Sequence, residues 1–268
     1  MIELFESDIK QEGRRSSKGN QLKWETDGIW YKADYTGYEG LSEYIISHLL
    51  QKSSLPKAKY VLYDTEKIFY KAVTYNGCKS ADFSGGWQII TLERLFHEMY
   101  GRSLYKEIYS ITGLENRLQF LVGEVERTTG IQSFGKYICE LFTLDAVFLN
   151  EDRHTHNISV LMNNAGDYRL CPIYDNGAGL MSDTTMDYPL GIDIYKAIDS
   201  VRSKTICDSF FDQLCTAEKL YGQSMTFFWS AKDVEELLKA DTVYGDDIKY
   251  RVRDILLEQR RKYSYLFK

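Results

Sequence analysis

Between residues 131 and 175 the chain changes its periodicity twice, and that change limits what it can build. Ile131, Phe134, Ile138, Leu141, Phe142, Ala146 and Leu149 recur at the spacing of one helix face. A polar stretch, Asn150-Glu151-Asp152-Arg153-His154-Thr155-His156-Asn157, follows the stripe. Residues 158–162 and 168–174 then read as two strands around Asn163-Asn164-Ala165-Gly166-Asp167, a turn composition that predicts a β-hairpin. A hairpin sets its two open ends side by side, and here those ends carry Asn157 and Asp175, with Asp152 five positions before the first. All three offer oxygen to a hard cation.

Upstream, residues 2–5, 21–24, 28–32, 60–63 and 68–73 read as short strands. Leu41, Ile45, His48 and Leu49 repeat at helical spacing, predicting one helix over 40–52 among them. After Gly77 the pattern turns helical: a Thr91-x-Glu93 start over 91–100, the stripe already described, a helix beginning at Ser230-Ala-Lys-Asp233, and a last one carried by Ile248, Val252, Ile255 and Leu256. These elements predict an α+β chain of two lobes sharing a cleft: a small β-rich lobe over 1–77 and a larger, mostly helical lobe over 78–268.

Composition excludes several classes. A content of 44% hydrophobic residues with 38 aromatics is enough for a core and rules out a mainly disordered chain. The net charge of −6, without a basic block, argues against nucleic-acid backbones and anionic membranes as general partners. Five cysteines, an odd number without any C-x-x-C, indicate neither a disulfide framework nor a zinc ribbon, and fit reduced thiols. No signal-like or membrane-spanning apolar run is visible, so the expectation is a soluble, cytoplasmic protein.

Phosphoryl transfer needs a carboxylate to accept the proton of the attacking hydroxyl and oxygen ligands to hold Mg²⁺ against a nucleotide's phosphates. Asp152 suits the first task; Asn157 and Asp175 suit the second. The Asp-x₄-Asn spacing, followed after a hairpin by Pro172-Ile-Tyr-Asp-Asn-Gly177, resembles the catalytic and metal-binding loops of the compact bacterial serine/threonine kinases of the HipA and CtkA type. Asp152-Arg-His-x-x-Asn157 is also similar to the catalytic loop of phosphatidylinositol kinases. The resemblance extends over most of residues 10–180. It implies a bilobal protein-kinase-like fold that uses ATP and Mg²⁺, with Asp152 as base and Asn157 and Asp175 as metal ligands.

By the same resemblance, Lys32 grips the nucleotide phosphates, Glu43 orients that lysine, and Val73 joins the nucleotide site. Ser16, Ser17, Lys18 and Gly19 belong to a loop covering the phosphates, with Ser16 or Ser17 an autophosphorylation site. The implied partners are a protein substrate with a Ser/Thr acceptor and a small regulatory or antitoxin protein. No His-Arg pair precedes Asp152, Asn176 stands where eukaryotic kinases place the phenylalanine of Asp-Phe-Gly, and no Ala-Pro-Glu follows, so control by a eukaryotic-type activation loop is not implied.

Two other readings use the same residues. One keeps the nucleotide site and changes the acceptor to a phosphatidylinositol or small alcohol. The other is an ATP-binding pseudokinase or toxin-antitoxin interaction module, against which the intact Asp152, Asn157 and Asp175 argue. The plain readings are a surface lysine for Lys32, a solvated helix-start carboxylate for Glu43, and a turn for Asp152-x₄-Asn157. His154 and His156 with Cys171 lack a fourth zinc ligand, which leaves His154 as a catalytic-loop support.

Overall fold

The computed structural model describes residues 1–9 and 21–268. In chain order the first elements are β1 (Ile2–Glu3), β2 (Lys23–Thr26), β3 (Ile29–Ala33), α1 (Glu39–Leu50), β4 (Asp64–Tyr70), β5 (Val73–Ala81) and β6 (Gln88–Thr91). Helices α2 (Leu92–Tyr100), α3 (Leu104–Ser110), α4 (Leu114–Thr129) and α5 (Phe134–Phe148) precede strands β7 (Ser159–Met162) and β8 (Tyr168–Leu170). The chain ends in α6 (Ile194–Ile198), α7 (Phe210–Tyr221), α8 (Ala231–Ala240) and α9 (Asp246–Lys262).

Five strands form one sheet in the order β1-β4-β5-β3-β2. β4 and β5 make a hairpin whose two central residues, Lys71 and Ala72, take φ of 47° and 62°. A two-residue hairpin turn with positive φ at both positions matches the twist of the strands it joins. Neither residue is the Gly or Asn that usually marks such a turn, which is why 68–73 reads as a single strand in the sequence. The expected strand over 60–63 also shifts, since β4 begins only at Asp64.

Alternation along the strands sorts the two faces. Leu4, Trp24, Tyr31, Ala33, Ile68 and Tyr70 pack together on one side. Lys32, between Tyr31 and Ala33, turns to the other side, where Cys78, its register partner on β5, is buried with Val61 and Tyr63. On that face α1 lies close to β5: a Cβ on Gly40 would come within 2.5 Å of the Gly77 carbonyl carbon, and one on Gly77 within 2.1 Å of the Lys32 carbonyl oxygen. Only glycine fits either position.

A second sheet has the order β6-β7-β8. β7 and β8 are the expected hairpin, closed by Gly166 N–H donating to Asn163 O at 3.1 Å. β8 stops at Leu170 rather than reaching 174, and Pro172, which lacks an N–H, lies just beyond. Helix α5 is buried along nearly its whole length, as its apolar stripe requires, and packs against α4 and α7. Ser230 caps α8 reciprocally with Asp233, and α9 follows the stripe that ends the sequence.

The described chain divides into two compact units: Met1–Phe83 with Tyr174–Val201 and Thr226–Lys268, and Ser84–Ile173 with Arg202–Met225. The boundary expected after Gly77 falls inside β5. The β-rich unit also takes in α6, α8 and α9. Arg251 of α9 donates to Tyr38 Oη and to the carbonyls of Tyr188 and Pro189, and Tyr244 Oη donates to Asp34, so these later segments are tied to the start of α1.

Candidate active site

In the first unit, β3 presents Lys32 to a carboxylate from α1 and another from the segment after Tyr174. The Lys32 ammonium donates to Glu43 Oε1 at 2.9 Å and to Asp175 Oδ1 at 2.8 Å. Glu43 is 2% exposed, and its other oxygen accepts the Asn176 N–H at 2.9 Å. Burial disfavours the charged lysine, but the adjacent Asp175 and Glu43 charges outweigh it and hold the Lys32 pKa well above its usual value. The ammonium also lies 5.2 Å from the centroid of the Tyr63 ring.

Asp175 has φ of 60°, a left-handed conformation that is uncommon outside glycine and that concentrates at functional positions. Surrounding bonds hold the turn. Ser42 Oγ donates to Asn176 O at 3.0 Å, Gly179 N–H to Asn176 O at 3.0 Å, Ser182 Oγ to Gly177 O at 2.6 Å, and Tyr38 Oη to Leu180 O at 2.7 Å. α1 thus fixes the segment that carries Asp175 as well as the side chain of Glu43.

Asp34, two residues beyond Lys32, accepts from Gly40 N–H at 2.7 Å and from Tyr244 Oη at 2.8 Å. Burial, with the Glu39 charge added, pushes its carboxyl up to about 8. Unfolded, this carboxyl releases its proton near pH 4; folded, it keeps it to about 8. Across that window the native state binds more protons, so this group makes stability fall as pH rises, by up to about 1.4 kcal/mol per pH unit. Asp34→Asn keeps an oxygen to accept from Gly40 N–H, places an amide N–H that can donate to Tyr244 Oη, and removes the titration. Urea unfolding from pH 5 to 8 should therefore show the stability difference, variant minus wild type, increasing with pH. A constant difference would contradict the assignment.

In the second unit the polar stretch after α5 is a braced loop. Leu149 ends α5 with φ of 54°, and Asn150 N–H donates to Asp145 O at 3.0 Å. Buried Arg153 reaches back to the Asp145 carboxylate at 3.2 and 3.3 Å and donates to Asn157 O at 3.2 Å. Burial raises the Asp145 pKa to about 6, although the Arg153 charge opposes it. Thr155 Oγ1 donates to Glu93 Oε2 at 2.7 Å, anchoring the loop to the start of α2.

Within this brace, Asn157 Nδ2 donates to Asp152 O at 2.9 Å and to Asp152 Oδ2 at 3.0 Å. That pairing leaves the amide oxygen of Asn157 as its group for a cation. The His154 ring nitrogen lies 3.7 Å from Asp152 Oδ1, too far for a hydrogen bond; the His154 backbone is what closes the loop, its N–H donating to Asp152 O and its carbonyl accepting from Asn157 N–H. The Lys204 ammonium is also 3.7 Å from Asp152 Oδ1.

The structure thus brings Lys32, Glu43 and Asp175 together in one unit, and Asp152, His154 and Asn157 together in the other. Val73 does not join Lys32: it is 47% exposed beside the β4–β5 turn, five positions along β5 from the register partner of Lys32, or roughly 17 Å at strand rise. Ser16, Ser17, Lys18 and Gly19 lie outside the described residues. Sequence reasoning missed Asp145, Glu93, Lys204 and Asp34. Asp145 carries a local signal, as one of two acids, with Glu140, on a mostly apolar helix, and Glu93 stands in the sequence only as part of a helix start.

Among the described residues no group of three or more His, Cys, Asp or Glu side chains could hold a metal, and no helix is long and apolar enough to cross a membrane. Mg²⁺ needs no such protein cage, because it is commonly held by one or two carboxylates with substrate phosphates and water. Asp175 in the first unit and Asn157 in the second each carry an oxygen of that donor type.

No protein-family model and no curated protein matches the chain. Among solved structures, the Helicobacter pylori proinflammatory kinase CtkA superposes with a TM-score of 0.66 at 15% identity, over 97% of this chain and 95% of CtkA. HipA of Shewanella oneidensis MR-1, solved with HipB and operator DNA, gives a TM-score of 0.48 at 14% identity, over 97% of this chain and 63% of HipA. What this chain shares with CtkA, over nearly the whole of both, is therefore the mixed α+β fold of a kinase.

Proposed function

We propose that the chain is an ATP- and Mg²⁺-dependent protein kinase of the HipA and CtkA type that phosphorylates serine or threonine hydroxyls. One observation carries this reading: a buried ammonium, Lys32, held between a buried carboxylate on a helix and a carboxylate in a strained turn. A structural ion pair needs one partner. A lysine kept charged and aimed by Glu43, beside the oxygen donor Asp175, suits gripping phosphates next to a cation.

In this reading Lys32 holds nucleotide phosphates, Glu43 orients it, and Asp175 and Asn157 are the metal ligands. Bound Mg²⁺ supplies charge neutralisation on the phosphates. Asp152 accepts the proton of the acceptor hydroxyl, and the Arg153–Asp145 pair and Thr155–Glu93 bond keep its loop in place. A net charge of −6 without a basic cluster supports a protein acceptor over an anionic lipid surface.

The test is incubation with γ-labelled ATP and Mg²⁺ in the presence of cell lysate and, separately, anionic vesicles, followed by phosphoamino-acid analysis. Label on serine or threonine is expected. Label confined to lipid or a small alcohol would overturn the acceptor class, and no consumption of ATP would overturn the kinase reading.

A further inference from the structure

Lys204 comes beside Asp152 from outside the polar loop, and its surroundings are built. On either side of it Ser203 and Thr205 are buried, at 2% and 0% exposure, while the Lys204 side chain is 43% exposed. Thr205 Oγ1 donates to the Arg153 carbonyl, so this segment is tied directly to the loop that carries Asp152. Ile206 N–H donates to Gln213 Oε1 at 3.2 Å, and Arg117 donates to Ile206 O at 2.9 Å. Ser203 closes the segment on itself through Asp208 O and Cys207 O.

These bonds bring the ammonium to 3.7 Å from Asp152 Oδ1. That is near enough to share the neighbourhood of the base but too far to be spent on a hydrogen bond to it. Arg153 is buried and committed to Asp145, so it is not available to a substrate at this point.

An acceptor hydroxyl bonded to Asp152 sits about 3 Å from it, and the phosphorus it attacks about 3–3.5 Å further on. A lysine beside the same carboxylate, with several rotatable bonds, reaches the oxygens on that phosphorus. We propose that Lys204 is a further catalytic residue, contacting the transferring phosphoryl group beside Asp152. This rests on the kinase reading. In the step, Asp152 takes the hydroxyl proton as that oxygen bonds to the γ-phosphorus and the bond to the β,γ-bridging oxygen breaks, its electron pair leaving with ADP. Lys204 offsets charge on the transferring oxygens and neither gains nor loses a proton.

The test compares this chain as wild type, Lys204→Met and Lys204→Arg. It uses kcat and KM for ATP, melting temperature, and affinity for Mg²⁺–ADP with and without aluminium fluoride, a mimic of the phosphoryl group in flight. Lys204→Met should lower kcat by about 10²-fold, as removal of one preorganised charge donor does. It should leave ADP affinity within twofold and lose the tightening that aluminium fluoride gives wild type. Lys204→Arg should recover at least a tenth of the rate. Retention of kcat within threefold together with the fluoride tightening would overturn the proposal, as would parallel loss of ADP affinity and melting temperature, which marks a structural role. A wild type that binds ADP but transfers no phosphate would overturn the kinase reading, and the role of Lys204 with it.

Discussion

Asp152→Asn should lower the rate of phosphoryl transfer by about 10²–10⁴-fold, the range that a positioned general base contributes, while the fold and nucleotide affinity stay as they are. The substitution is isosteric. Its oxygen still accepts from Asn157 Nδ2, as Asp152 Oδ2 does at 3.0 Å, so the loop keeps its closure. The Arg153–Asp145 pair and the Thr155–Glu93 bond are untouched. What is lost is a carboxylate able to take a proton. Single-turnover label transfer at saturating Mg²⁺–ATP reads the rate, and circular dichroism with a melting curve reads the fold. Equal transfer by wild type and variant would remove Asp152 from the chemistry.

The second large effect concerns stability. Lys32→Met removes the cation that Glu43 faces at 2% exposure and leaves that carboxylate with the Asn176 N–H. Breaking a buried pair on one side destabilises by about 3–5 kcal/mol, because an uncompensated charge stays behind. Asp175, more exposed, suffers less. Replacing Glu43 by Gln in the same chain keeps an acceptor for Asn176 and removes the stranded charge, so the double variant should recover more than half of the loss. It should not recover transfer, since no ammonium remains to hold phosphate. Urea unfolding at pH 7 on the two single variants and the double variant closes the cycle. A loss below about 1 kcal/mol in Lys32→Met would mean that the pair is solvated.

How much of this was legible in the sequence depends on how local each signal is. The hairpin, α5 and the capped start of α8 announce themselves through periodicity and turn residues within a few positions of one another. Lys32, Glu43 and Asp175 could be named because their residue types and chain order follow a recognisable kinase pattern, although Lys32 and Asp175 are 143 positions apart. Lys204 has no such pattern. It comes beside Asp152 through a bond between Thr205 and the Arg153 carbonyl, spanning 52 positions, and neither segment hints at the other.

Asp34 is hidden for the same reason, since Tyr244, its hydroxyl partner, follows it by 210 positions. The misplacement of Val73 has a different origin. Without Gly or Asn at 71–72, nothing in the sequence says that the chain reverses there, so a residue beside the tip of a hairpin reads as the end of a single strand over 68–73. β5 then continues to Ala81, beyond Gly77, after which the sequence pattern reads as helical.

The central claim is that the Lys32–Glu43–Asp175 cluster receives the phosphates of a metal-bound nucleotide, and calorimetric titration with a non-hydrolysable ATP analogue tests it most directly. Wild type should bind the analogue in Mg²⁺ and at least tenfold more weakly without it, and Asp175→Asn should lose that metal dependence. Wild type that fails to bind, or binding that neither Mg²⁺ nor Asp175→Asn alters, would contradict the account.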